Sequence, residues 1–495
     1  MFQRLVRVPN AMKWLGVAAV VAFVGLPAGS VNGAPSDGSQ KPNILFVFAD
    51  DMTWEALGHL DETIVETPHL DRLAEQGVSF RRAYNQGSWT GAVCIASRSM
   101  LNTGRFLWNA KDADMTDMRK RGQVWGTLMA QAGYETYMTG KWHVKGLSAK
   151  KTFDHTTHIR PGMPRLDGDR RSEGYNRPQK GKPDPWDPWD RDRGGFWKGG
   201  EHWSKVLAKD SVGFLEHAAK QDKPFFMYLA FNAPHDPRQS PKRFVEQYPR
   251  DEVRIPENYL PKYPYRKPMG SPWNLRDEKL APMPRTKYAV RTHRREYYAL
   301  IDHTDAQIGK IFDALERTGQ AENTYIIFTA DHGLAVGHHG LLGKQNLFEH
   351  SVRAPFIIAG PDLPAGRTLD ERIYLHDAMP TALELAGLDV PDHVQFRSVL
   401  PLIEGERDEQ YEAIYGGYRG HQRSVIDGRY KLILYPKAPK VLLFDLKNDP
   451  EEMHNLAEKP KYQSKVKALF NKLVEMQPKT GDGLDLKKKF PELAK

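Results

Sequence analysis

The chain has 495 residues, 40% of them hydrophobic and 11% aromatic, which excludes a disordered protein. It is too long for one ordinary core, so two domains or one large α/β domain with an appendage is expected. The formal charge of +9 comes from 71 basic and 62 acidic residues scattered along the chain; this argues against a nucleic-acid-binding module and for an anionic substrate.

The N-terminus carries Arg4, Arg7 and Lys13 ahead of the apolar stretch WLGVAAVVAFVGLP (14–27). Small residues then offer cleavage points near Ala28–Ser30 or Ala34, so residues 1–34 read as an export signal. The stretch is shorter than the ~20 apolar residues of a membrane span, so no stable membrane association is expected; a retained anchor is the alternative. One cysteine cannot form an internal disulfide, and no Asn-x-Ser/Thr sequon occurs. Together these fit a bacterial periplasmic or extracellular protein.

NILFVFA (43–49) is an unalternated apolar run ending at Asp50-Asp51, the pattern of a parallel strand buried on both faces. YETYMTG (134–140) before Lys141, PFFMYLAF (224–231) before His235 and TYIIFTA (324–330) before Asp331 repeat it, and PFIIAG (355–360) reads as a fifth. Helices are expected over 69–77, 124–133 and 294–319. In the last, Ile301, Ile308, Ile311, Phe312 and Leu315 share a face and Gly319 supplies a stop. Alternating strands and helices predict a large, mostly parallel α/β sheet sandwiched by helices, with ligands at the carboxyl ends of its strands.

Residues 150–205 (rich in Gly, Pro, Arg, Asp and Trp) and 236–290 (rich in Pro, Lys and Arg) read as long loops inserted over one face of a catalytic domain spanning 41–404. From 405 to 495 short strands, an Asp427-Gly428 hairpin signal and a final helix predict a smaller α+β subdomain with an antiparallel sheet.

Cys94 sits in a serine-rich stretch that reads as a loop. Asp50, Asp51, Asp331 and His332 follow two strand ends and suit a hard dication with oxygen ligands, Ca²⁺ or Mg²⁺; taken alone, each pair reads equally as helix caps. Lys141, His143, His235 and Lys344 add cations and proton-transfer groups near the same edge, as a tetrahedral oxyanion substrate requires.

KPNILFVFADD, CIASRSMLNTGR, GYETYMTGKWH, PFFMYLAFNAPHDP, IIFTADHG, HGLLGKQNLFEHSVRAPFII and LFDLKNDPEEMHNL occur in that order. On these motifs the chain resembles the type I, formylglycine-dependent sulfatases of the alkaline phosphatase superfamily, from about Lys41 to about Leu456. His332 is similar to the arrangement in iduronate-2-sulfatase-like and bacterial polysaccharide sulfatases. The resemblance implies that a maturation enzyme oxidises Cys94 to formylglycine and that its aldehyde hydrate is the nucleophile. A serine would leave a stable sulfate ester, whereas the second hydroxyl of a hydrate expels sulfate. It further implies a Ca²⁺ site of Asp50, Asp51, Asp331, His332 and the residue-94 side chain. Arg98 and His143 would hold and activate the hydrate; Lys141, His235 and Lys344 would clamp the sulfate, with His235 or Lys344 as the acid for the leaving alcohol. The third position of the maturation core is Ala96 instead of the commoner proline, a variant associated with radical-type maturases.

A sulfated carbohydrate is the expected substrate. Trp186, Trp189, Trp197 and Trp203 offer stacking faces for sugars or pin their loop, and Arg285, Arg291 and His293 are pocket residues or a solvated face. Of these, Trp197 and Arg285 are the strongest candidates for sugar contact. The rival readings are a phosphonate or phosphate ester hydrolase of the same superfamily, and a non-catalytic glycan-binding relative in which Cys94 stays a thiol.

Overall fold

The computed structural model describes residues 41–60 and 63–494; the expected export signal lies outside them. In chain order the strands are β1 (Asn43–Ala49), β2 (Gly77–Tyr84), β3 (Gly87–Ser88), β4 (Glu135–Lys141), β5 (His155–Arg160), β6 (Phe225–Ala230), β7 (Thr324–Ala330), β8 (Arg353–Ala354), β9 (Phe356–Ala359), β10 (Arg367–Tyr374), β11 (Ala413–Tyr418), β12 (Gln422–Asp427), β13 (Tyr430–Tyr435) and β14 (Lys440–Asp445). The large sheet runs β10-β2-β9-β7-β1-β6-β4-β5, with β8 beside β2.

Its centre is built by the apolar runs read from the sequence. β1 pairs in parallel with both β6 and β7, and β4 in parallel with β6 and β5. All seven residues of β1 are buried, which demands cover on both faces. Two groups of helices supply it. Pro68–Glu75, Trp203–Ala218 and Lys287–Arg317 pack together, as do Val93–Thr103, Trp125–Gln131 and Ala378–Leu385. Phe46, Phe226 and Tyr228 meet Trp125 with ring centroids 4.8, 5.1 and 5.9 Å apart, so one aromatic cluster fixes β1 and β6 to a helix.

Three expectations need correction. The strand read at 355–360 is present as β9 but antiparallel to its neighbours β7 and β2; a short buried run carries no information on direction. The 150–205 segment is not wholly loop, since HTTHIR forms β5 at the sheet edge. Edge strands are covered on fewer sides and tolerate polar residues, which also hides the charged β10 from a hydrophobicity reading. Finally, Cys94 is not in a loop: it lies in the first turn of the helix Val93–Thr103.

The C-terminal strands pair as β14-β13-β12-β11, and β3 joins them parallel to β11. Lys431 of β13 is 1% exposed and places Nζ 2.9 Å from both Glu349 and Glu452. This buried triad ties the small sheet to the segment that follows Lys344. Among the described residues no helix is long and apolar enough to cross a membrane.

Candidate active site

Because β1, β4, β6 and β7 are parallel, the residues at and beyond their carboxyl ends emerge at one edge: Asp50 and Asp51, Lys141 and His143, His235, and Asp331 and His332. The helix Val93–Thr103 brings Cys94 and Arg98 to this edge, and the chain after β7 brings Lys344. Cys94 Sγ lies 3.3 Å from His332 Nε2, 3.4 Å from Lys344 Nζ and 3.8 Å from Asp51 Oδ1. Gly91, Ala92 and Cys94 line a pocket of about 340 Å³, so the positive end of the helix faces it. Burial pushes the Cys94 thiol up, yet Lys141, Lys344 and His332 outweigh this and hold it well below its ordinary value.

Arg98, one turn further on, is fully buried. Its Nε donates to Asp331 Oδ2 at 3.0 Å and its Nη1 to the Lys141 carbonyl at 2.8 Å, while Phe48 stacks 4.6 Å below. Arg98 therefore joins the ends of β4 and β7. Lys141 Nζ donates to Asp50 Oδ2, and Lys344 Nζ to both oxygens of Asp51 at 2.6 and 2.7 Å.

Asp51 and His143 adopt left-handed backbone conformations, φ 66° and 53°. Such positions cost about 1–3 kcal/mol each in non-glycine residues and are held by their surroundings. Asp51 is held from both sides: its N–H donates to Asp331 Oδ1 (3.1 Å) and its carbonyl accepts from Tyr297 (2.6 Å). His143 is held by Gly162, where any Cβ would collide with the imidazole ring. Burial keeps His143 below its usual pKa, which favours the neutral ring that can accept a proton.

Ligand atoms of Asp50, Asp51, Cys94, Asp331 and His332 all lie within 4.8 Å of one another. His332 Nδ1 donates to the Gly333 carbonyl at 2.9 Å, turning Nε2 toward Asp51 and Asp331. Asp50 Oδ1 is buried without a hydrogen-bond partner. Burial, then the neighbouring Asp331, drives the Asp50 carboxyl well above its ordinary range. Three crowded carboxylates, an imidazole and an orphaned oxygen fit an oxygen-preferring dication.

The pocket over Cys94 is also lined by His143, Gly162, Met163, Arg165, His235, Arg276, Asp277, Lys344 and Gln345. His235 Nδ1 donates to the Asp236 carbonyl (2.7 Å), so Nε2 is the nitrogen left for the site, 3.8 Å from Asp51 Oδ2. Of the pocket residues, Met163, Arg165 and Gln345 are not among those the sequence points to, and Arg276 opens the 276–295 segment, which reads as pocket or solvated face. They lie in segments without periodicity, and only the motif around Lys344 pointed toward Gln345.

Two expected substrate contacts are not brought here. Arg285 is buried and its donors are engaged by Gly340 O (3.2 Å), Ala281 O and Glu278 (O at 2.8 Å, Oε2 at 2.5 Å). It braces the Glu278 turn, and a guanidinium so engaged has nothing to offer a sugar. Trp197 is 6% exposed, donates to the Pro188 carbonyl at 3.1 Å and lies beneath Arg191. It pins the insertion, as do Trp186 beneath Arg177 and Arg193 and Trp203 beneath Arg160. Arg291 likewise donates to the Val253 carbonyl at 3.1 Å.

Fixed cations opposite a buried carboxylate cluster, with a nucleophilic position between them, suit cleavage of a tetrahedral oxyanion ester, where charge builds on both sides of the breaking bond. Fold and site thus define an oxyanion ester hydrolase. The chain belongs to the sulfatase family, whose model matches residues 42–388, and is a sulfuric ester hydrolase. A second model, described as N-sulphoglucosamine sulphohydrolase, C-terminal, matches residues 337–479. An arylsulfatase of Clostridium perfringens is 28% identical, covering 91% of this chain and 98% of its own. An N-acetylglucosamine-6-O-sulfatase of Bacteroides thetaiotaomicron is 26% identical, covering 90% and 88%. The structure of a phosphonate monoester hydrolase from Silicibacter pomeroyi superposes with a TM-score of 0.71 at 21% identity, over 90% of this chain and 96% of that one, a likeness of fold.

Proposed function

We propose that this is an exported bacterial glycan sulfatase, which hydrolyses O-sulfate esters of a sulfated saccharide once a maturation enzyme has converted Cys94 to formylglycine. The observation that carries the reading is the setting of the chain's one thiol, at a helix N-terminus within reach of Lys344 and His332 and beside Lys141 and His143. The glycan half rests on the relative named for N-acetylglucosamine-6-O-sulfate and on the arginines around the pocket.

Asp50, Asp51, Asp331 and His332 would hold Ca²⁺, which when bound supplies positive charge to a sulfate oxygen and to the nucleophile. Formylglycine at position 94 would supply a hydrate, one hydroxyl to attack sulfur as its bond to the alcohol oxygen breaks and the other to expel sulfate and restore the aldehyde. His143, whose pKa burial lowers, would take the proton of the hydrate. Lys141 and Lys344 hold the sulfate oxygens. Burial alone would weaken Lys344, but Asp51 and Cys94 hold its pKa well above the ordinary value in the unmodified site, so it keeps its charge there. His235 or Lys344 would protonate the leaving alcohol; His235 would act as the imidazolium, with the Nδ1 proton held by the Asp236 carbonyl and the Nε2 proton left for the substrate. Arg98 positions Asp331 and the end of β4.

A panel of defined sulfated mono- and oligosaccharides, run beside matched aryl sulfate and aryl phosphonate esters, tests the assignment. Sulfate release from at least one saccharide, with aryl sulfate turned over faster than the phosphonate, is expected. Faster release from the phosphonate would make the protein a phosphonate ester hydrolase instead.

A further inference from the structure

We propose that a cavity adjoining the catalytic pocket is a second anion subsite, in which Arg238, assisted by Arg165 and Arg171, receives a carboxylate or sulfate carried by the same saccharide. This inference rests on the glycan sulfatase reading and adds that the substrate bears two negative groups.

The cavity, about 220 Å³, lies between the 163–166 segment, the 171–177 turn, Trp186 and the 236–238 segment. It shares Met163, Arg165 and Arg276 with the pocket over Cys94, so the two cavities adjoin. Five arginines line it, and two of them are already matched. Arg177 is held by Glu296 (2.9 and 2.5 Å) and Asp184 (2.8 Å); Arg276 is held by Asp236 and Asp277.

Arg238 is different. It is 3% exposed, yet its hydrogen bond goes to a neutral partner, Nη1 to His293 Nδ1 at 2.7 Å. His293 Nε2 meets the Arg177 carbonyl at 2.8 Å, a bond it can only donate, which leaves Nδ1 as the acceptor. Arg238 Nε is buried with no hydrogen-bond partner. The acids beside it, Asp236 and Glu296, are engaged by Arg276 and Arg177. A guanidinium removed from water without a carboxylate bonded to it is costly, and an entering anion repays that cost with a forked pair of hydrogen bonds. Burial lowers its pKa despite Asp236 and Glu296, which agrees with an incompletely matched charge. Arg165 and Arg171, both exposed, lie at the cavity wall and extend the cationic surface outward.

Binding to the Cys94→Ala protein, measured by calorimetry, tests the subsite without turnover. Two saccharides are compared: one with a single sulfate, and the same sugar with an added uronate carboxylate or second sulfate. With Arg238 in place the doubly anionic ligands are expected to bind about 10- to 100-fold tighter. Arg238→Gln should erase that preference and Arg238→Lys restore part of it, while the matured Arg238→Gln enzyme turns over a small aryl monosulfate within about threefold of the parent. Carboxylate and sulfate arms show which anion is taken. Equal affinity for singly and doubly anionic ligands, or a preference that survives Arg238→Gln in protein with an unchanged melting temperature, would overturn the subsite. Failure of the glycan reading is separate: aryl sulfate would be hydrolysed and no saccharide desulfated.

Discussion

Cys94→Ala is expected to lower kcat for an aryl sulfate by roughly 10⁴- to 10⁶-fold, the loss seen when a covalent nucleophile is removed. Nothing else in the site supplies an equivalent atom. Lys141, Lys344, His143 and His235 would still gather around a sulfate, so binding should survive. The side chain removed is small, and the helix it belongs to is anchored by Arg98, so the melting temperature should move by only a few degrees. Activity retained within tenfold, measured on protein of confirmed sequence, would remove Cys94 from the reaction.

The second large effect concerns the carboxylate cluster. Chelation with EDTA should reduce turnover by at least about 10²-fold, and added Ca²⁺ should restore it, as expected when a fixed positive charge leaves the transition state. Asp331→Asn should lose comparable activity and not be rescued by Ca²⁺. Asp331 also accepts from Arg98 Nε (3.0 Å) and from the Asp51 N–H (3.1 Å), so the variant should lose stability on the order of 3 kcal/mol. Burial would raise the Asp331 carboxyl, but His332 and Arg98 outweigh it and hold it at about 2, against an ordinary 3.8. A depressed carboxyl stabilises the fold above its unfolded value and loses that contribution as pH falls from about 4 through 2. The variant should therefore lose the corresponding acid limb of its stability profile. Full activity after exhaustive chelation would exclude a metal from the site.

The parts of this architecture with a physical signature in the chain were legible there. β1 and β7 read as apolar runs because strands buried on both faces exclude polar residues, and the acids and cations beyond them stood out by contrast. The small C-terminal sheet was legible through Asp427-Gly428 and the alternation around it. β5 and β10 were not, because partly covered edge strands can be charged. Cys94 read as a loop residue because the first turn of its helix has no polar N-cap: Ala92 occupies that position and the positive helix end is left to the pocket. The insertions hid most. Arg285 and Arg238 look alike in sequence, yet one is saturated by carbonyls and a carboxylate and the other has a buried nitrogen without a partner. That difference depends on which chain segments close around each guanidinium, and no local pattern records it.

Residue 94 is expected to carry an aldehyde in place of a thiol in the working protein. Mass spectrometry of the tryptic peptide spanning residues 83–98 from natively produced protein tests it most directly. Conversion to formylglycine predicts a mass about 18 Da below that of the unmodified peptide, together with reactivity toward a carbonyl reagent. A peptide of unshifted mass, from protein that nevertheless releases sulfate, would contradict the account.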